Sequence, residues 1–343
     1  MNNPYTLVFG KAPSEMISRV SQFEEVIGNF TAEVSSQQVY MITGVRGSGK
    51  TVFMTEIANS LREFDDWIVV ELNPEKDLLM GLAAKLASEN KLAQIFKRSK
   101  LNLSLFGIGL EVSGEAPIAD IETAVAKMLE SLGRKGKRVL VNIDEAVNNQ
   151  FIKEFVSSYQ IFIRQDLPIY LLMTGLYDNI NSLQNEKTLT FLYRAPKIEL
   201  APLNAGAISR NYADNFKLDK KTAIEMAKIT RGYSFAFQVL GYFTWENGGD
   251  YRKAIGMFRQ YLDEYVYDKV WSELSPKDKQ ILSAMAEIGT GKVSDIRTKL
   301  NLETNEFNPY RNRLIKKGLI NGDQRGIVTF TLPMFEDYVL ENS

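Results

Sequence analysis

One run of eight residues, Gly44-Val45-Arg46-Gly47-Ser48-Gly49-Lys50-Thr51, constrains this chain more than any other feature, because its spacing is that of a phosphate-binding loop entering a helix. Residues 38–43 read as a buried strand, and residues 52–58 continue as a helix with its apolar side chains on one face. The glycines let successive backbone N–H groups turn toward phosphate oxygens, and the positive end of the new helix points at the same place. Lys50 is then expected to reach the terminal phosphates and Thr51 to hold Mg2+ through its hydroxyl. The ligand implied is a nucleoside triphosphate such as ATP.

A second signature follows almost a hundred residues later. Arg138-Val139-Leu140-Val141-Asn142-Ile143-Asp144-Glu145 is too continuously apolar for a half-exposed strand, and it ends in two carboxylates. Asp144 is expected to accept hydrogen bonds from metal-bound water, and Glu145 to orient and activate an attacking water. Taken alone, the pair could equally cap the next helix. Residues 167–175 form a further buried-strand candidate ending in Thr174, whose hydroxyl could sense the terminal phosphate or its attacking water, or else cap the following turn.

Composition limits the remaining chemistry. The 343 residues suffice for two or three domains, and 45% hydrophobic with 24% charged residues is an ordinary globular balance. Lys plus Arg total 41 against 42 Asp plus Glu, a formal charge of -1, so the molecule as a whole is not committed to nucleic acid. With no cysteine and no histidine, disulfides, histidine acid–base catalysis and Cys/His zinc sites are excluded. Oxygen ligands for Mg2+ remain plentiful. No signal-like or membrane-length apolar segment is seen, so a cytoplasmic location without membrane association is expected.

Along the chain, Ser21 and Glu24 read as the capping pair of an N-terminal helix with Phe23, Val26, Ile27 and Phe30 on its apolar stripe. Residues 67–72 read as a strand, 77–96 as helical, 101–112 as a strand or hairpin, and 118–132 as helical. Residues 191–203 look like a last strand and exit. There Arg194 is a candidate for stabilising transferred phosphate charge in its own or a neighbouring subunit, with a surface salt bridge as the competing role. An α/β nucleotide-binding core through about residue 203 follows from this alternation.

Helical stripes over 205–216, 220–230 and 235–245, then a longer one over 251–271, suggest a lid and linker covering 204–272. Arg231 is a candidate lid contact. The remainder, 273–343, has three short helical patterns, the first opened by Ser275-Pro276 and the third by Asn308-Pro309, followed by a small hairpin around residues 323–326. That order describes a winged helix-turn-helix. Arg311, Arg313, Lys316 and Lys317, with Arg325 at the wing, could contact DNA phosphates, although helical spacing does not put them all on one face. A protein-interaction module bearing solvated charges is the alternative.

These residues together resemble the archaeal-type ATPases among the AAA+/STAND-like P-loop proteins, which are similar in architecture to archaeal replication-origin recognition ATPases. The resemblance runs from Ile17-Ser18-Arg19-Val20 through the 44–51 loop, Asp144-Glu145, Thr174-Gly175 and the residue 194–203 exit to the terminal helices. It implies that Asp144 supports magnesium, Glu145 activates water and Thr174 acts as a sensor. Gly232-Tyr233-Ser234-Phe235-Ala236-Phe237-Gln238 looks like a lid motif that often reads Gly-x-Pro-x-Ala-x-Gln, with Ser234 in place of the proline. The expected function is an ATP-hydrolysing switch that couples nucleotide state to domain arrangement or homo-oligomeric assembly. The alternative is a nucleotide-dependent interaction protein with little or no hydrolysis.

Overall fold

The computed structural model describes residues 2–8 and 13–343, which divide into two compact units. The sheet unit comprises Val20–Thr43 and Lys50–Glu199; the helical unit comprises the residues through Arg19, Gly44–Gly49 and Leu200–Ser343.

In chain order the sheet unit contains α1 (Val20–Thr31), β1 (Val39–Thr43), α2 (Lys50–Arg62), β2 (Trp67–Leu72), α3 (Leu78–Ser88), α4 (Asn90–Arg98) and α5 (Ile121–Gly133). It continues with β3 (Arg138–Ile143), α6 (Gln150–Arg164), β4 (Ile169–Gly175), α7 (Tyr177–Gln184) and β5 (Lys197–Glu199). The five strands are all parallel, in the order β2-β3-β4-β1-β5. Every residue of β1 and β4 is buried, which is why these strands read as continuous apolar runs rather than alternating ones. Val139, Val141 and Ile143 of β3 share a core with the apolar faces of α3, α5 and α6.

Several expectations are corrected here. The helix α1 already begins at Val20, so Ser21 lies inside its first turn instead of capping it. Residues 101–112 form no strand: a 3-10 turn at Ser104–Phe106 and left-handed Gly107 and Gly109 break the run. Leu101, Leu103 and Leu110 are buried while Leu105 is exposed, so the alternation fails at its centre. The buried Asn102 amide organises this loop, donating to the Glu115 carbonyl at 2.8 Å and accepting from Ser104 N–H at 3.1 Å. The 191–203 segment keeps only the three-residue β5, preceded by a 3-10 turn at Thr190–Arg194.

The helical unit contains α8 (Ala205–Phe216), α9 (Lys220–Ile229), α10 (Ser234–Glu246), α11 (Tyr251–Leu262), α12 (Asp268–Ser272), α13 (Pro276–Ile288), α14 (Val293–Leu300) and α15 (Thr304–Lys316). An antiparallel pair, β6 (Ile320–Asn321) and β7 (Thr329–Phe330), follows, and α16 (Phe335–Glu341) closes the chain. A π-helical turn, Asp263–Tyr267, carries α11 directly into α12. Ser275 caps α13, accepting from Asp278 N–H at 3.2 Å, with Pro276 in the first turn. The α15 start differs from the expectation: a reciprocal capping box between Glu303 and Glu306 opens it at Thr304 and leaves Pro309 inside the helix.

One core runs through this unit. Tyr212, Phe237, Leu240, Phe258 and Leu262 from the first helices join Ile281, Leu282, Phe307, Leu314 and Phe335 from the last ones. The helices on either side of residue 272, where the sequence suggests a boundary, share this apolar interior. Tyr5 anchors the N-terminal segment in the same core. Its ring packs on Phe216 at 5.6 Å, and its hydroxyl donates to Asn211 at 2.6 Å.

Candidate functional site

In the sheet unit, the polar residues singled out from sequence gather at the carboxyl ends of the parallel strands. This is the end at which open α/β sheets bind ligands. Asp144 follows the last residue of β3, and Thr174 lies next to last on the adjacent β4. Thr51, the second residue of α2, donates its hydroxyl to Asp144 Oδ2 at 2.7 Å. The Thr174 hydroxyl donates to Asp144 Oδ1 and accepts from Glu145 N–H at 3.2 Å. Both Asp144 oxygens thus receive a hydroxyl proton, and a metal arriving there would exchange with the Thr51 contact.

Glu145 has φ +53°, in the left-handed region that costs an L-residue about 1–2 kcal/mol. The cost is offset locally, since its N–H meets both Thr174 Oγ1 and Asp144 Oδ1 and the next N–H, of Ala146, reaches the Thr174 carbonyl at 2.7 Å. The turn leaves the Glu145 side chain exposed. Thr174, fully buried, is engaged on both sides by this turn, so its hydroxyl acts first on the carboxylate pair. Two residues before Asp144, the Asn142 amide is 1% exposed and neither of its polar atoms has a partner among the described residues.

In the helical unit, the glycine loop turns through left-handed Gly47 (φ +75°) and Gly49 (φ +90°). Three consecutive carbonyls of this loop are hydrogen-bonded to three consecutive residues around the start of α10. Arg46 O accepts from the Tyr233 hydroxyl at 2.5 Å, Gly47 O from Phe235 N–H at 3.1 Å, and Ser48 O from the Ser234 hydroxyl at 2.8 Å. Arg19 adds a donor to Ser48 O at 2.8 Å and another to Ser234 Oγ at 2.9 Å, while its Nε donates to Ala201 O at 2.9 Å. Arg46 itself pairs with Glu273 at 2.9 Å. Burial pushes the Tyr233 phenol far above its ordinary range, so this hydroxyl remains a donor.

The other candidates are less gathered. Arg194 is exposed at the end of its 3-10 turn. The Arg231 guanidinium donates to the carbonyls of Phe330 at 2.8 Å and Leu332 at 3.2 Å, tying the segment three residues before α10 to β7 and the residues after it. In α15, Arg313 is turned inward onto Asp278, which is 1% exposed, at 2.6 Å, and onto Ser275 at 2.9 Å. Arg311 donates to the Gly322 carbonyl at 3.1 Å. Lys316 and Arg325 are exposed, and Lys317 is half-buried. The exposed residues of α15 are Thr304, Asn305, Glu306, Asn308, Pro309, Asn312 and Lys316, mostly uncharged with one acid and one base, rather than a basic face.

Sequence reasoning had not assigned roles to Arg19, Tyr233, Ser234 or Glu273. Three of them lay in stretches already noted, the N-terminal Ser18-Arg19 and the lid-like motif. Their partners are up to 227 residues away, a separation no local pattern reveals.

Residues 27–168 match the ATPase domain predominantly from Archaea. This segment contains the loop, Asp144 and Glu145, and it identifies a nucleotide-binding ATPase domain of the archaeal type. Residues 264–339 match a domain of unknown function (DUF8462). No curated protein matches the chain. Among solved structures, the chain is similar to the Walker-type ATPase PABY2304 of Pyrococcus abyssi, with 16% identity, TM-score 0.66, and 95% of this chain and 96% of that one covered. It is also similar to the Aeropyrum pernix ORC2 protein, solved as ADPNP–ADP complexes, with 15% identity, TM-score 0.58, and coverage of 97% and 95%. At these identities the likeness is one of fold. Among the described residues, no helix is long and apolar enough to cross a membrane.

Proposed function

We propose that this protein is a magnesium-dependent ATPase that works as a molecular switch. The observation that carries the reading is the Thr51 hydroxyl at 2.7 Å from Asp144 Oδ2, a pair of hard oxygen donors on the residue after the loop lysine and on the strand-end acid. The loop residues also suit phosphate. The carbonyls of Arg46, Gly47 and Ser48 are bonded to residues 233–235, which turns them away from a ligand, and the buried Ser48 hydroxyl lacks a partner among the described residues.

In this reading the backbone of Gly44, Val45, Arg46, Gly47, Ser48 and Gly49 receives the phosphates. Lys50 neutralises the terminal ones, and Thr51 and Asp144 hold Mg2+, which supplies charge neutralisation at the transferred phosphoryl group. Glu145 orients and deprotonates the attacking water, and Thr174 fixes the turn from which Glu145 acts. Arg194, exposed and remote along the chain, is suited to act on a neighbouring copy in an assembled state.

Magnesium-dependent phosphate release tests this directly. Glu145→Gln is expected to keep ATP affinity while turnover falls about 100-fold or more. Lys50→Ala is expected to lose binding. Normal hydrolysis by Glu145→Gln would remove the residue from its role, and hydrolysis that does not rise with protein concentration would remove Arg194 from a neighbour's site.

The terminal helices and the β6–β7 ribbon support a winged helix-turn-helix reading for residues 273–343. Its partner is either duplex DNA, through Lys316, Lys317 and Arg325 with Arg311 beside them, or a protein. The inward commitment of Arg313 and the mostly uncharged exposed residues of α15 favour the protein partner. DNA titration over a range of salt concentrations, with Lys316→Ala/Arg325→Ala as the control, separates the two: salt-sensitive binding lost in the double variant establishes DNA.

A further inference from the structure

The grip on the glycine loop has a consequence for how the loop binds. A phosphate loop presents its N–H groups to the ligand, so its carbonyls face the other way and must find donors of their own. Here the donors to residues 46–48 come from residues 233–235, and each is of a different kind. The Tyr233 phenol reaches Arg46 O, the Ser234 hydroxyl reaches Ser48 O, and the Phe235 backbone N–H reaches Gly47 O.

That last bond comes from a first-turn N–H of α10, a helix with no side-chain cap of its own. The loop carbonyl therefore caps the helix while the helix fixes the loop. Gly47 leaves no spare room: a Cβ there would overlap the Tyr233 hydroxyl and lie 3.1 Å from Phe235 Cβ. Ser234 is the first residue of α10, where proline fits a helix well but has no hydroxyl to give. The serine trades that fit for a bond to Ser48 O and a second to Arg19.

We propose that Tyr233, Ser234 and Arg19 are positioning residues for nucleotide binding, holding the carbonyl side of residues 46–48 so that the N–H side is already set for phosphate. Hydrogen bonds accepted by a peptide's carbonyl also polarise it, strengthening the N–H bonds the loop makes to the ligand. One step further along the chain, Arg231 fastens the same segment to the carbonyls of Phe330 and Leu332. The glycine loop and the β6–β7 ribbon are thereby joined through residues 231–235. The proposal rests on the ATP-binding reading of the loop.

The test is titration of the full chain with MgATP by calorimetry, with melting temperature recorded with and without nucleotide. Tyr233→Phe removes one hydroxyl and keeps the ring. Ser234→Ala removes the other, and Ser234→Thr restores it. Tyr212→Phe is the control for stability alone, because the buried Tyr212 hydroxyl donates to a carbonyl, Phe237 O, at 2.7 Å in the same core but away from the loop. Tyr233→Phe and Ser234→Ala are expected to weaken MgATP binding about 10-fold each, the equivalent of one net hydrogen bond. Ser234→Thr is expected to recover most of the loss, and Tyr212→Phe to bind as wild type.

The proposal falls if Tyr233→Phe and Ser234→Ala bind MgATP like wild type while Lys50→Ala does not. It falls equally if Tyr212→Phe weakens binding as much as Tyr233→Phe, since affinity would then follow stability. Wild-type protein that binds no MgATP would overturn the ATP reading and the proposal with it.

Discussion

The Asp144 cluster of the sheet unit and the phosphate loop of the helical unit are held by opposite means. Around Asp144, side chains fix side chains: two hydroxyls on one carboxylate, with the parallel register of β3 and β4 bringing the partners together. Around the loop, side chains and a helix end fix main-chain carbonyls, through partners that lie far along the chain. In the first arrangement the contacts run between side-chain oxygens. In the second they end on backbone carbonyls, so the main chain itself is held. The contrast is between a cluster set by strand register and a loop set by contacts distant in sequence.

The largest expected effect breaks the loop side of this contrast. Gly47→Ala sets a Cβ at φ +75° against the Tyr233 hydroxyl, displacing a buried hydrogen bond as well as straining the backbone. Roughly 3 kcal/mol of stability should go, read as a lower urea midpoint, together with MgATP affinity. Wild-type stability in this variant would mean that the loop is not shaped by its carbonyl contacts.

A middle-sized effect tests the sheet side. Thr174→Val keeps the shape of a fully buried residue but removes the hydroxyl shared by Asp144 and Glu145. Turnover is expected to fall about 10-fold with ATP affinity changed much less, since the turn that aims Glu145 loosens while the loop is untouched. Equal losses in both would make Thr174 a packing residue.

The smallest effect lies in the π-helical turn, at a carboxylate that makes none of the loop contacts described above. Burial raises the Asp263 carboxyl to about 6, against the lowering effect of Arg259 and with the help of Glu341, Asp268 and Asp337. The folded state holds this proton more tightly than the unfolded chain. The resulting stability is fully present below the ordinary value of 3.8 and is lost as the pH rises through about 6. Asp263→Asn should therefore stabilise the protein at pH 8 by about 1 kcal/mol, a figure reduced because the group is partly solvated, and should change little at pH 4. Stabilisation that is the same at both pH values would point to packing instead of charge.

The sheet, its strands and the residues of the Asp144 cluster were legible along the chain because each rests on a local pattern. Strands buried on both faces read as apolar runs, the loop announces itself by glycine and lysine spacing, and carboxylates stand where such a strand ends. The 101–112 stretch misled because its alternating leucines suggested a strand, whereas Asn102 and the left-handed glycines fold it into a loop. The basic residues of α15 misled in another way. Composition counts charges, but only the tertiary fold turns Arg313 onto the buried Asp278 and Arg311 onto a carbonyl.

Sequence by itself thus supplied the candidate groups: a glycine loop with its lysine, hydroxyl and carboxylate oxygens, and no thiol or imidazole. Tertiary structure decided what holds that chemistry in place, because a carbonyl's donor can come from anywhere in the chain. The phenol that meets Arg46 O lies 187 residues downstream, and no periodicity of helix or strand spans that distance.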